Sequence, residues 1–337
     1  MVILNQGKHF DSMNKKENLD VKKVFVGIAK NMARKKWQCL MSGCTDVAIN
    51  SHLLQRHGVL SHVIQNGHCY ELCPIDLFKW KPEQFPFEFR KRGLQEAISL
   101  DIFCNHHDTD LFKPIESGNV DYSNYNNQVL LCFRTVCAEI RKKEFSIERY
   151  KRFSDSEILK VHRPDLIKIV PDMIKSAQKA ITDLAIYKRL LEDEINAPSN
   201  SFTFIHETYP IMGIYASASF TIASEEETAD FGRTLDCAFG HVIPTDTDTV
   251  FVFGYHNDHA NEAILEFVNG WHGLNNEAIG EKLTGWFTMI EGWGMSPSLH
   301  DKISVSSIDR YFELLEKSVS TIAQNPNVGF NMFSGLL

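Results

Sequence analysis

The apolar and polar positions along the chain follow different periods in different regions. From Val21 to Lys36, apolar residues recur three or four positions apart, opposite a face of lysines, which predicts a basic amphipathic helix. From Cys39 to about Phe112 the segments are short, rich in turns and strand-like. Within them, GVLSHVIQNGHCYEL predicts a β-hairpin, because the Asn66-Gly67 pair favours the tight turn that joins two antiparallel strands.

The second half of the chain changes from a helical to a strand period. QVLLCFRTVCAEIRKK and DLIKIVPDMIKSAQKAITDLAIYKRLLEDEI predict amphipathic helices, the second of them kinked or begun near Pro171. After the linker NAPSNS, four segments have strand character: FTFIHETY, MGIYASASFTIA, CAFGHVIP and TVFVFGYH. Helices are then predicted at about 257–269 and 307–323.

These patterns predict an α+β protein made of four units. We expect a basic amphipathic helix at 1–36, a turn-rich module at 37–122, a helical region at 123–196 and an α+β domain with an antiparallel sheet at 201–337.

The two parts of the chain differ in net charge. Residues 1–199 carry 30 basic and 25 acidic side chains, whereas residues 200–337 carry 5 and 18. A basic region suits a polyanion and an acidic one suits a protein partner, although both also serve as ordinary solvated surface.

Composition narrows the class of protein and its compartment. The chain has 337 residues, 43% of them hydrophobic, and no apolar run approaches the roughly 20 residues needed to span a bilayer. The first residues lack the apolar core of a secretory signal, so we expect a cytoplasmic protein without a membrane partner. In a reducing compartment, the eight cysteines are expected to be thiols or metal ligands more than disulfides.

Two pairs of metal-ligating residues occur in the turn-rich module. Cys39 and Cys44 flank LMSG, whose Ser-Gly can form a sharp turn, and Cys104 precedes His107 at the start of a helix-like segment. Three thiolates and one imidazole are a common structural set for Zn²⁺. The sequence therefore predicts a zinc site whose halves lie about 60 residues apart.

Several alternatives to this ligand set are open. The first pair has four intervening residues where two are usual, and the thiols would also serve as small core residues. His106 could replace His107 as a ligand, and Cys69 with Cys73 forms a rival pair. Three further cysteines are predicted to be core residues: Cys132, Cys137 and Cys237. In GYHNDHAN, the group His256, Asp258 and His259 could bind a metal, but Asn257 or Asp258 more naturally caps a helix.

Between the two ligand pairs lies AINSHLLQR, and CNHHD follows. With the first cysteine pair, these segments resemble the HNH, or His-Me finger, nucleases, which are built on a treble-clef zinc fold; the resemblance covers residues 37–116. It implies that His52 is the general base and that Asp108 takes the place of the histidine that holds the catalytic metal. The family's middle asparagine has no counterpart, since Asn50 lies elsewhere and Ser99 occupies its place.

The chemistry that this resemblance implies is phosphodiester hydrolysis, which needs a base and a hard cation. His52 would take the proton from water, and Asp108 with Asp110 or Glu116 would hold Mg²⁺ or Mn²⁺. The alternative is that Asp108 and Asp110 are acids of a first helical turn and that His52 is a core histidine.

Basic and aromatic residues surround the module and predict nucleic-acid binding. These residues are Arg34, Lys35, Lys36, Trp37, Arg56, Lys79, Trp80, Lys81, Arg90, Lys91 and Arg92. An ordinary charged surface is the alternative.

Two functions are thus expected from the sequence. The first is a zinc-stabilised, nucleic-acid-interacting protein with HNH-like nuclease activity, which by analogy with nucleases carrying an additional domain would act in bacterial (antiviral) defence or mobile-element biology. The second is a non-catalytic zinc-containing binding or adaptor subunit that works through a partner protein, with the acidic C-terminal domain as its interaction surface.

Overall fold

The computed structural model describes residues 14–76, 78–79, 85–320 and 325–337, which form a mixture of helices and antiparallel strands, as predicted. The helices are α1 (Lys15–Met32), α2 (Asn105–Asp110), α3 (Tyr125–Ser154), α4 (Glu157–His162), α5 (Pro164–Asn196), α6 (Glu225–Ala229), α7 (Glu262–Asn269), α8 (Asn276–Phe287), α9 (Pro297–His300) and α10 (Val305–Ser320). The strands are β1 (Asn50–His52), β2 (His68–Pro74), β3 (Phe87–Gly93), β4 (Ser99–Asp101), β5 (Phe202–Tyr209), β6 (Ile214–Phe220), β7 (Ala238–Pro244), β8 (Thr249–His256) and β9 (Trp293–Met295). None of these described helices combines the length and apolar character that a membrane span requires.

One seven-stranded antiparallel sheet forms the centre of the molecule, with strand order β3-β2-β9-β6-β7-β8-β5. The short strand β9 joins its two parts, because it pairs with β2 on one side and with β6 on the other. The hairpin β2–β3 therefore leaves the turn-rich module and extends the sheet of the C-terminal region. Two of the predicted units share this sheet, and the boundaries drawn between them stay predictions.

Both faces of the sheet are covered, which explains why its central strands are apolar at nearly every position. Phe239, Ile243 and Val252 face one side, where they pack with α3, α5 and the turn-rich module. Phe251 and Phe253 face the other side, where they pack with the helices that follow β8. A third cluster joins α1 and α4 to the adjoining parts of α3 and α5.

The predicted hairpin in GVLSHVIQNGHCYEL is correct in its turn and wrong in its first arm. Asn66 and Gly67 have φ values of 51° and 82°, and Gln65 bridges His68 across them. The residues before the turn form a 3-10 turn at Leu60–His62. This helical spacing buries Val59, Leu60 and Val63. The segment therefore does not pair with β2, which pairs with β3.

Two predicted helix starts also differ from the structure. Helix α5 begins at Pro164, because proline is tolerated in a first turn, and it continues through Pro171, which lies inside the helix. Helix α7 begins at Glu262 with Asn261 as its N-cap, so the predicted cap at Asn257 or Asp258 was wrong. The backbone of Asn257 instead donates to Ser201 and prolongs the sheet edge.

Helix α3 holds the turn-rich module and the residues just before it through three residues spaced seven apart, which lie on one helix face. The buried Arg134 donates to Glu116 Oε1 at 2.6 Å, and the buried Arg141 donates to the carbonyl of Gln38. Glu148 accepts from Lys35 at 2.6 Å. This stripe fixes the module that carries the candidate site against the helical region.

Candidate functional site

The four predicted metal ligands lie together. The ligand atoms of Cys39, Cys44, Cys104 and His107 all fall within 4.8 Å of one another. Cys44 Sγ lies 3.9 Å from Cys104 Sγ, and His107 Nδ1 lies 3.5 Å from Cys39 Sγ and 3.2 Å from Cys104 Sγ. This Cys3His cluster unites the segment after α1 with the first turn of α2.

The distances suit a tetrahedral ion. Bonds of about 2.3 Å to sulfur and 2.0–2.1 Å to nitrogen imply edges of about 3.8 Å between sulfurs and about 3.5 Å between sulfur and nitrogen. Burial raises the pKa of the Cys39 thiol to about 11, so a thiolate there needs a compensating cation. The Cys3His cluster could therefore hold a metal ion such as zinc.

Local backbone geometry explains how four residues can separate Cys39 from Cys44. Gly43 adopts a φ of 78°, a left-handed conformation that glycine accepts readily, and the amide of Cys44 donates to Met41 O. The amide of Met41 in turn lies 3.5 Å from Cys39 Sγ. The turn predicted from the Ser-Gly pair thus brings the two sulfurs to the same side of the loop.

The rival ligands lie outside this cluster. His106 Nδ1 pairs at the surface with Asp110 Oδ2 at 2.7 Å. Cys69 is buried, with its Sγ 3.1 Å from Tyr215 Oη, and burial raises its pKa to about 11. Buried cysteines in the core include Cys73, Cys132, Cys137 and Cys237. Within the part of the chain that the structure describes, His256, Asp258 and His259 form no metal-binding group either.

His52 is the last residue of β1 and pairs with Ser99 of β4. Strand β4 is the element that precedes α2 in the chain. Its Nε2 lies 3.2 Å from Leu94 O. Burial lowers the pKa of His52, so the ring is held neutral; Nε2–H then donates to the carbonyl and Nδ1 keeps its lone pair. The imidazole is oriented as a proton acceptor.

Asp108 lies in the first turn of α2. Its Oδ1 atom is buried and has no hydrogen-bond partner among the described residues. The charges of Glu116 and Asp108 both raise the pKa of His52, opposing burial and Arg56. Both carboxylates therefore lie near enough to the imidazole for their charges to act on it.

The alternative that Asp108 and Asp110 are acids of a first helical turn is correct for Asp108 and wrong for Asp110, which is the last residue of α2. Asp108 does lie in the first turn of α2, yet the N-cap residue is Cys104 and no side chain caps the helix. Asn50 donates to Ser99 Oγ at 3.2 Å and to Gln95 O. The partner of Glu116, Arg134, was missed at the sequence level, although arginines seven apart in an apolar helix are a detectable signal.

Several of the residues predicted to bind nucleic acid have protein partners. Lys35 pairs with Glu148, Arg90 with Glu88, and Arg92 with Glu71 and Glu96. Trp37 is 8% exposed and packs on Phe145. Lys36, Arg56 and Lys91 have no carboxylate partner within the described residues, and Trp80 and Lys81 lie outside them. The nucleic-acid interface stays a prediction.

The chain matches no protein-family model, no curated protein and no solved structure. The likeness to HNH nucleases accordingly rests on the residues of this chain alone.

Proposed function

We propose that this protein hydrolyses phosphodiester bonds in nucleic acid at a site formed by His52, Asp108 and Glu116. The observation that carries the proposal is a neutral imidazole on which the charge of Asp108 acts, together with a buried oxygen of that carboxylate that has no hydrogen-bond partner among the described residues. A buried, unpaired oxygen of this kind costs free energy unless a ligand or cation meets it.

His52 would act as the general base. Because Nε2–H is engaged with Leu94 O, the lone pair of Nδ1 can take a proton from an attacking water. The lowered pKa keeps this lone pair free at neutral pH. Leu94 contributes only its carbonyl, which fixes the ring and its tautomer.

Asp108 and Glu116 would hold a divalent cation such as Mg²⁺ or Mn²⁺, since carboxylate oxygens are the ligands that these ions prefer. The cation would neutralise charge on the phosphate. Arg134 holds Glu116 in place, and the Cys3His cluster fixes the start of α2, from which Asp108 extends.

The test is cleavage of plasmid, single-stranded DNA and RNA in the presence of Mg²⁺ or Mn²⁺. Removing a general base slows reactions by about 10²–10⁴-fold, so His52→Ala should lose cleavage to that extent while keeping its fold and metal. His62→Ala, which alters an exposed histidine of the same module, is the matched control and should cleave normally. Cleavage that survives in His52→Ala would contradict the assignment of the base.

A second candidate is a non-catalytic zinc-containing subunit that binds a partner protein. It is favoured by the ion pairs of Lys35, Arg90 and Arg92, which reduce the charge available to phosphates. Absence of cleavage with either metal, in protein that retains zinc, would support this candidate.

A further inference from the structure

A cavity of about 900 Å³ lies in the C-terminal region, far along the chain from the Cys3His cluster. It is bounded by α7, α8, the loop after β6 and residues 325–327. Ile222, Phe267 and Leu274 give it apolar walls. We call it the Lys282 cavity, after the one lysine among its described lining residues.

The amine of Lys282 lies against aromatic rings. Its Nζ is 4.8 Å from the ring centre of Phe267 and 5.0 Å from that of Trp271. Among the described residues, no carboxylate lies within ion-pair distance of this amine, although Glu266 is near enough for its charge to act on it. Gly270 leaves room for the amine, because a Cβ at that position would lie 2.5 Å from Nζ.

Burial favours the uncharged amine, against the attraction of the two ring faces for a cation. Burial lowers the pKa of Lys282 to about 8, and the charge of Glu266 only partly offsets the effect. At pH 7 about one such amine in ten is free, compared with roughly one in 2,500 for an ordinary lysine. A free amine in a solvent-accessible cavity is a nucleophile towards carbonyl carbon.

The other charges of the cavity restrict its ligand. The lining includes four carboxylates: Glu227, Glu262, Glu266 and Glu281. They outnumber the single cation and repel anions, while the apolar walls suit an aromatic or aliphatic group. A phosphorylated or carboxylated ligand is therefore disfavoured.

We propose that the Lys282 cavity binds a neutral aldehyde, which forms an imine with Lys282. The lone pair of Nζ attacks the carbonyl carbon, the carbonyl oxygen leaves as water after taking two protons, and a C=N bond replaces C=O. The step is a condensation without net oxidation, and it needs no co-reactant. A neighbouring glutamate can carry the protons between nitrogen and oxygen.

The experiment uses the full chain and benzaldehyde as the probe, with sodium cyanoborohydride to reduce any imine to a stable amine. Peptide mapping then gives the labelling rate of each lysine. Lys113 and Lys302, both exposed, are internal references that need no variant. Lys282→Met provides a second control, because it removes the amine while keeping an unbranched side chain of similar length.

At pH 7 we expect Lys282 to be labelled at least tenfold faster than Lys113 or Lys302. The anionic probe 4-carboxybenzaldehyde should label Lys282 several-fold more slowly than benzaldehyde, and Glu281→Gln should reduce this difference. Labelling of Lys282 at the rate of the exposed lysines would overturn the proposal. Equal rates with the neutral and anionic probes would overturn the ligand class.

Discussion

His52 and His241 are both held neutral by burial, but they lie in different surroundings. His52 ends a two-stranded sheet, is half-buried, and has two carboxylates and Arg56 near it. His241 lies in β7 at the centre of the seven-stranded sheet and is fully buried. Its Nδ1 is 3.1 Å from Ser217 Oγ, and its Nε2 is 3.7 Å from Cys132 Sγ of α3.

The difference shows that a perturbed pKa alone does not identify a reactive histidine. Burial lowers the pKa of His241 to about 3. Both of its ring nitrogens nevertheless have protein partners, so neither is available to a substrate. Nδ1 of His52 has no hydrogen-bond partner among the described residues, and the charge of Asp108, which has a buried unpartnered oxygen, acts on the ring. We infer that His241 stabilises the fold, and the catalytic role of His52 stays part of the proposed function.

The largest expected effect is the loss of folding stability in acid that comes from His241. An unfolded chain protonates His241 near pH 6.5, whereas the folded protein resists protonation until about pH 3. Its contribution to stability is therefore complete above pH 6.5 and is lost as the pH falls towards 3, by at most about 5 kcal/mol. Chemical denaturation across this range measures the free energy of unfolding.

The variant His241→Gln isolates this contribution from that of the carboxylates, which also titrate in acid. Its free energy of unfolding should be lower at pH 7 and should depend less on pH between 6.5 and 3. The proposed cleavage should change little. An unaltered pH dependence in His241→Gln would mean that this histidine does not control acid stability.

A smaller effect is expected at the contact between α3 and the module. Arg134→Met leaves Glu116 without its partner, and because Glu116 is partly exposed we expect a loss of about 2 kcal/mol, less than for a fully buried pair. The proposed cleavage should also fall, since Glu116 is a proposed ligand of the divalent cation. Arg310→Met breaks an exposed pair and should cost less than about 0.5 kcal/mol. Equal losses in the two variants would contradict the anchoring role of Arg134.

Local patterns in the sequence predicted a large part of the fold. The segments expected to be strands became β5, β6, β7 and β8, because alternation and apolar content are local properties. The Cys3His cluster was also predictable, since few residue types bind zinc and each pair is close in sequence. The assignments of His52 and Asp108 to catalysis stay predictions.

Long-range packing accounts for what the sequence did not reveal. The pairing of Tyr70 with Met295 joins segments more than two hundred residues apart, and no local period encodes it. Before α7 begins, Asn257 donates a backbone hydrogen bond to Ser201, the residue that precedes β5. The unusual environment of Lys282 likewise arises from rings on other segments.

The measurement that tests the central claim most directly is the zinc content of the purified full chain. We predict one zinc ion per chain in the wild type, and the same in Cys73→Ser and His106→Ala, which alter residues outside the cluster. Cys104→Ser should lose most of its zinc, because it removes a thiolate that lies 3.9 Å from Cys44 Sγ and 3.2 Å from His107 Nδ1. Undiminished zinc in Cys104→Ser, or no zinc in the wild type, would contradict the four-ligand site.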